Sequence, residues 1–347
     1  MRYKKLLLVI LAACTLSGCQ PKSDPNSPLN LGMAAMEQQK YEEALKSFES
    51  SIAEEKDVVL AYRGEGMAYI GLGEYDKAIT ALNSALDNAG EKMVKTIKDI
   101  RLYKASAQLK SEDYDGTIET CTQVLSADED GDAYYMRGTC YLQKEDEAKA
   151  KADFDKASAM SPEDYDLFWN IYEAYKEKNL SAKGDEYLQK ALSIGGEKTE
   201  DYYQRGRIYY YLENYEKAKE ELLKPVEDKD KASALLLGKV YLKLEDSNLA
   251  RNIYQQYLQD FGEAPEAYNG IALCDLADNA PDAAIATIQK GQALNGETGK
   301  QDLLYNEIVA YERKKDFQTA KDKAAAYIAK YPNDAAGKKE YDFLSTR

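Results

Sequence analysis

Histidine is absent from this chain. That removes the commonest general base, any His-based catalytic triad and most zinc sites. Tryptophan occurs once, as Trp169, and only 8 of 347 residues are proline. No long segment alternates Val, Ile or Thr with polar residues, so strands have little to form from. Neither a phosphate-binding P-loop nor a GxGxxG turn is present, and no cofactor or metal is expected. Carboxylates are numerous, but at helical spacing opposite lysines they read as a solvated face. The chain is therefore not expected to be an enzyme. Basic clusters are scarce as well. The formal charge is −15, a sign that opposes nucleic acid and anionic surfaces. Solubility accounts for such a surplus, and a basic partner is the sharper reading.

What is abundant is helix-forming composition, with an unusual 29 tyrosines. At the N-terminus, residues 1–18 have the parts of a secretory leader. Arg2, Lys4 and Lys5 precede the apolar run Leu6–Leu16, followed by Ser17 and Gly18. That run falls short of the roughly twenty residues that span a bilayer. Leu16-Ser17-Gly18-Cys19 resembles a bacterial lipobox, which implies a diacylated Cys19 as the first mature residue. Leu11-Ala12-Ala13-Cys14 fits the same pattern but leaves only Leu6–Ile10 as apolar core, so Cys19 is preferred. Losing Arg2, Lys4 and Lys5 takes the formal charge from −15 to −18. Residues 19–28, with Pro21, Pro25 and Pro28, form a polar tether. Gln20 is not the Asp that resembles an inner-membrane retention signal, which points to the outer membrane if the cell has two. The expected address is extracytoplasmic, with the chain lipid-anchored to a bacterial membrane.

From residue 29 onward one pattern is copied nine times. A small residue in an opening helix stands at Gly32, Gly66, Ala105, Gly138, Gly206, Gly238 and Ala272, replaced by Tyr172 and Ile308 in two copies. Successive intervals are 34, 39, 33, 34, 34, 32, 34 and 36. Twelve residues after each comes a small residue of a closing helix, such as Ala44, Ala78 and Ala150. Four further on stands a larger one, such as Phe48, Leu82 and Phe154. This spacing resembles the tetratricopeptide repeat. The resemblance implies an all-α fold, a right-handed superhelical solenoid of about nine repeats over residues 29–332. Residues 333–347 then supply a C-terminal capping helix, with Ala336, Phe343 and Leu344 near one face.

Departures from the pattern carry further expectations. The long interval predicts an extended opening helix over Glu91–Lys110. Pro225 predicts an early end to the closing helix of the sixth repeat, after Leu223, with a local change of pitch. Pro281 opens a helix, and Gly73 stops one. The fifth repeat, with Tyr172 and Gly184 at its two small positions, is expected to be loosely packed. Cys121 and Cys140 fall on facing helices, where a bridge is conceivable in an oxidising compartment. Each also sits at a core position, where a free thiol packs as a small hydrophobe, and this reading is preferred.

In the family's superhelix the opening helices line the concave side. Its inward positions lie three before, one after and four after the small residue. In the fourth to sixth repeats, the resemblance places the aromatics Tyr135, Trp169 and Tyr203 there, along with Glu173, Lys176, Arg207 and Tyr210. The expectation is an exposed aromatic stripe that binds an extended segment of another protein. These positions are mostly aromatic or aliphatic, so the family's Lys/Asn clamp for C-terminal carboxylates is not expected. The chain thus reads as a scaffold for protein association or envelope-complex assembly. The alternatives are a cell-wall glycan-binding module on the same aromatics, or an assembly factor of a secretion, pilus or outer-membrane machine.

Overall fold

Each helical hairpin closes through the same turn. In a computed structural model, which describes residues 24–346, the backbone turns left-handed seven residues after every small position. The residues are Gln39, Gly73, Glu112, Glu145, Asn179, Glu213, Glu245, Asn279 and Lys315. The next N–H reaches back to a carbonyl five positions earlier, from Lys40 to Ala35 in the first repeat and from Asp316 to Tyr311 in the ninth, both at 2.9 Å. This closure satisfies carbonyls that the helix end leaves bare. The closing helix then starts at once. Asp113, Asp146, Asn214, Asp246 and Asp316 each accept the N–H three residues on.

Nineteen α-helices and no strand occur among the described residues. The nine hairpins are Pro28–Glu37 with Tyr41–Ala53, Val58–Leu72 with Tyr75–Asn88, Val94–Lys110 with Tyr114–Ala127, Gly131–Gln143 with Glu147–Met160, Tyr165–Glu177 with Ser181–Ala191, Thr199–Tyr211 with Tyr215–Glu227, Lys231–Lys243 with Ser247–Phe261, Pro265–Ala277 with Pro281–Gln292, and Lys300–Arg313 with Phe317–Lys330. Ala335–Ser345 follows as a cap. The chain forms two compact units. One holds the described residues up to Pro162 and Glu173–Ser181; the other holds Glu163–Tyr172 and the described residues from Ala182 onward. Within each unit an opening helix packs on its own closing helix and on the opening helix of the next repeat.

The small positions explain that packing. A Cβ on Gly32 would stand 2.5 Å from the Phe48 ring, and one on Gly64 of the next repeat would stand equally close to the same ring. Gly206 faces Leu222 in the same manner, at 2.6 Å. The fifth repeat, expected to be loose, instead exchanges the two sizes. Tyr172 occupies the opening position, and a Cβ on Gly184 would lie 2.9 Å from its Cδ2 and 3.0 Å from its backbone. Volume is moved from one helix to the other and the site stays filled.

Three other expectations differ from the structure. The closing helix of the sixth repeat runs through Pro225 to Glu227. In the last turn proline forfeits one bond, its ring is buried, and its carbonyl still accepts from the Asp230 N–H at 2.9 Å. The extended opening helix begins at Val94, not Glu91, and its 17 residues reach Lys110. In the cap, Gly337 and Leu344 form the buried face, while Phe343 is 45% exposed and Ala336 also faces outward. Seven residues make about two turns, which puts 337 and 344 on one stripe. Pro281 and Gly73 behave as expected, at the first helical residue and the left-handed cap. Cys121, Cys140 and Cys274 are unbridged and buried.

A recurrent cross-helix pair sits one residue before the small and large positions. It is an ion pair in Arg137–Asp153 (2.8 Å), Arg205–Glu221 (2.9 Å) and, with charges exchanged, Glu307–Lys323 (2.9 Å). In the second repeat the same two positions hold Glu65 and Ala81. With no cation opposite, burial, helped by nearby Glu49, pushes the Glu65 carboxyl up to about 7.

Two outcomes follow. Gly184→Ala should cost about 1–3 kcal/mol by overpacking. Tyr172→Ala in that background should cost less than the two changes summed, a coupling of about 1 kcal/mol by denaturant unfolding. Because the folded Glu65 value lies above its unfolded one of 4.5, its contribution is fully present below pH 4.5 and is lost as pH rises through about 7. Melting of Glu65→Gln across that window should show a flatter pH dependence than the parent chain.

Candidate partner-binding groove

The aromatics singled out in the sequence do not form an exposed stripe. Tyr135 is 5% exposed, its ring 6.0 Å from that of Phe154, and burial pushes its hydroxyl up to about 12. Trp169 is 4% exposed. Its indole N–H donates to Gln204 Oε1 at 3.2 Å, and Tyr172 and Tyr211 approach it edge-on at 5.8 and 4.9 Å. The Arg207 guanidinium lies 3.9 Å above the ring. Such a stack consumes the π-face that a sugar would use. Trp169 therefore packs the fifth repeat's opening segment onto the sixth, and the glycan alternative loses its platform there. A long inward side chain on the next repeat reaches back to cover the ring, which single-helix spacing does not reveal. Glu173 and Lys176 pair with each other at 3.3 Å. Tyr203, Arg207 and Tyr210 remain half-buried.

Of these residues, Tyr210 reaches a cavity. A groove of about 660 Å³ opens in the second unit, and its wall includes Tyr210, Lys239, Leu242, Asn269, Leu273 and Tyr305. All six occupy the inward positions: four after the small residue for Tyr210 and Leu242, one after for Lys239 and Leu273, three before for Asn269 and Tyr305. Six of the twelve inward positions of the sixth to ninth repeats thus line the cavity. Carrying it past Tyr210 finds the groove from the sequence; attention to aromatics alone stops short of it. Lys239 and Asn269 also make the inward face more polar than expected.

The wall is held by amide and phenol contacts. Asn306 Nδ2 donates to Asn269 Oδ1 at 2.7 Å across two opening helices. At the far end Gln301 Nε2 donates to Tyr327 Oη (3.0 Å) and Asp334 Oδ2 (2.9 Å), and the Tyr327 hydroxyl donates to the same oxygen at 3.1 Å. Asp334 also accepts the Gly337 N–H, which, with Tyr327 and Gln301, holds its carboxyl below the usual range. Lys239 and Lys243 are exposed on the wall and have no ion pair among the described residues. Among those residues no group of three or more Cys, Asp or Glu is placed to hold a metal, and no helix is long and apolar enough to cross a membrane. Cys19 lies outside the described residues.

Models of the tetratricopeptide repeat match residues 29–91 and 235–297, 131–164 and 202–226, and 302–334. A DnaJ homolog subfamily C member 7 homolog of Dictyostelium discoideum is 24% identical over 235 residues, which is 63% of this chain and 43% of that protein. The chain spans less than half the length of the curated relatives it matches. Among solved structures, yeast Tom70 aligns with TM-score 0.48 and 16% identity over 92% of this chain and 87% of its own. A tetratricopeptide repeat protein of Parabacteroides merdae aligns with TM-score 0.46 and 12% identity, over 72% and 98%.

Trp169→Ala should therefore behave as a core truncation. A loss of about 3–5 kcal/mol on unfolding is expected, against little change for Lys239→Ala, exposed on the groove wall.

Proposed function

The chain is a tetratricopeptide-repeat protein of the protein-association type, and from that premise we propose that it is a lipid-anchored, extracytoplasmic scaffold whose working surface is the second unit's groove. The observation that carries this reading is the convergence of six inward positions from four repeats on one cavity. The cavity combines apolar Leu242 and Leu273, the rings of Tyr210 and Tyr305, and the polar ends of Lys239 and Asn269. Such a lining suits an extended segment of another protein, whose side chains reach alternate pockets while amides meet its backbone. The mechanism is passive. Helices locked by the shared turn and by Gly–aromatic contacts present the wall already in place, so little order is lost on binding.

The anchor rests on the N-terminal sequence. Acyl chains on Cys19 contribute about 0.8 kcal/mol per buried methylene, so two or more hold a protein firmly to a membrane. The anchor brings the chain to the bilayer, and the acidic surface does not add to that attraction. Assembly of an envelope complex is the expected setting.

Cys19→Ala should move the protein from the membrane to the soluble fraction, or leave the leader uncleaved; unchanged fractionation and processing would remove the anchor. Separately, a photo-crosslinker at position 239 should trap a defined peptide segment of one partner. Leu273→Asp with Tyr305→Ala should reduce that crosslink about tenfold while far-ultraviolet circular dichroism stays unchanged.

A further inference from the structure

The dipeptide Asn-Gly occurs twice in this chain, and the fold treats the two copies differently. Asn269-Gly270 lies inside the opening helix of the eighth repeat, Pro265–Ala277, with Gly270 buried. There the glycine N–H is bonded within the helix ladder. The Asn269 side chain is held as well, its Oδ1 accepting from Asn306 Nδ2 at 2.7 Å. Asn295-Gly296 lies in the bend between Gln292, the end of the eighth repeat's closing helix, and Lys300, the start of the ninth repeat. Both residues are exposed. Neither the Asn295 amide nor the Gly296 N–H bonds another group among the described residues.

The reactivity of an asparagine amide depends on that difference. Its Cγ is an electrophile within reach of the next backbone nitrogen, and their union closes a five-membered ring. A helix opposes this twice, by bonding the nitrogen and by fixing the dihedrals that ring closure must change. The bend does neither. Gly296 stands at φ +93°, and beyond its chain neighbours no atom lies within 4 Å of the place a Cβ would take. Nothing shields the flank of its nitrogen.

We propose that Asn295 is a site of spontaneous backbone modification, and that the fold confines this chemistry to the bend. The Gly296 nitrogen gives up its proton and bonds to Asn295 Cγ. The Cγ–Nδ2 bond breaks, and the nitrogen leaves as ammonia with a proton restored from water. Water then opens the cyclic imide at one carbonyl or the other, giving aspartate or isoaspartate. No oxidation state changes. Either product adds one negative charge two residues before Glu297, whose carboxylate pairs with Lys330 at 2.6 Å. Isoaspartate also inserts one carbon into the backbone between the eighth and ninth repeats, which both contribute to the groove wall.

The test incubates the full chain in detergent at mildly alkaline pH and maps its tryptic peptides by mass spectrometry. Aspartate and isoaspartate forms elute apart, so each product is counted. Conversion at Asn295 should outrun that at Asn269 about a hundredfold, because the helix must open before Gly270 can react. In denaturant the two rates should converge. Gly296→Ala, which crowds the attacking nitrogen, should slow conversion at Asn295 about tenfold. An unmodified Asn295, a rate indifferent to Gly296→Ala, or equal native rates at the two positions overturns the proposal. So does a native difference that persists in denaturant, since the fold would then not be its cause.

Discussion

The closeness of two helices at one point governs this molecule. Where Gly32 meets Phe48, or Gly206 meets Leu222, no Cβ separates the opening helix from the side chain facing it. That approach lets one large residue serve two contacts, as Phe48 does between Gly32 and Gly64. A hairpin alone could not bury such a ring. The next repeat supplies the second wall, so stability accrues by neighbour upon neighbour.

Because the constraint is on summed volume and not on which helix provides it, the fifth repeat can invert the arrangement. Tyr172 and Gly184 satisfy the same steric condition from opposite sides. The same economy governs the charged pairs. Glu307–Lys323 reverses the polarity of Arg137–Asp153 at equivalent positions, and only the sum of charges matters. Glu65, opposite Ala81, is a case where that sum is not balanced.

Local spacing made the helices, their turns and the repeat frame legible. The small positions, Gly73 as a stop and Pro281 as a start all depend on residues a few places apart. The site was less legible. Inward positions follow from the frame, and Tyr210 lines the groove, but exposure depends on what neighbouring repeats lay across a residue. Trp169 loses its face to Arg207 from the next repeat. Gly337, not Ala336, faces the core because Tyr327 from the preceding helix stands against it. Pro225 shows the opposite error: an intrinsic helix breaker in the final turn forfeits so little that burial prevails.

The three thiols of the folded region have a chemical consequence. Burial pushes Cys140 and Cys274 up to about 12 and Cys121 up as well, so the nucleophilic thiolate is scarce while the helices stay packed. Oxidants and alkylating reagents then meet these sulfurs mainly during opening. Cys121 and Cys140 belong to one unit and Cys274 to the other. The chain thus carries built-in chemical clocks whose rates of modification read the breathing of each unit independently.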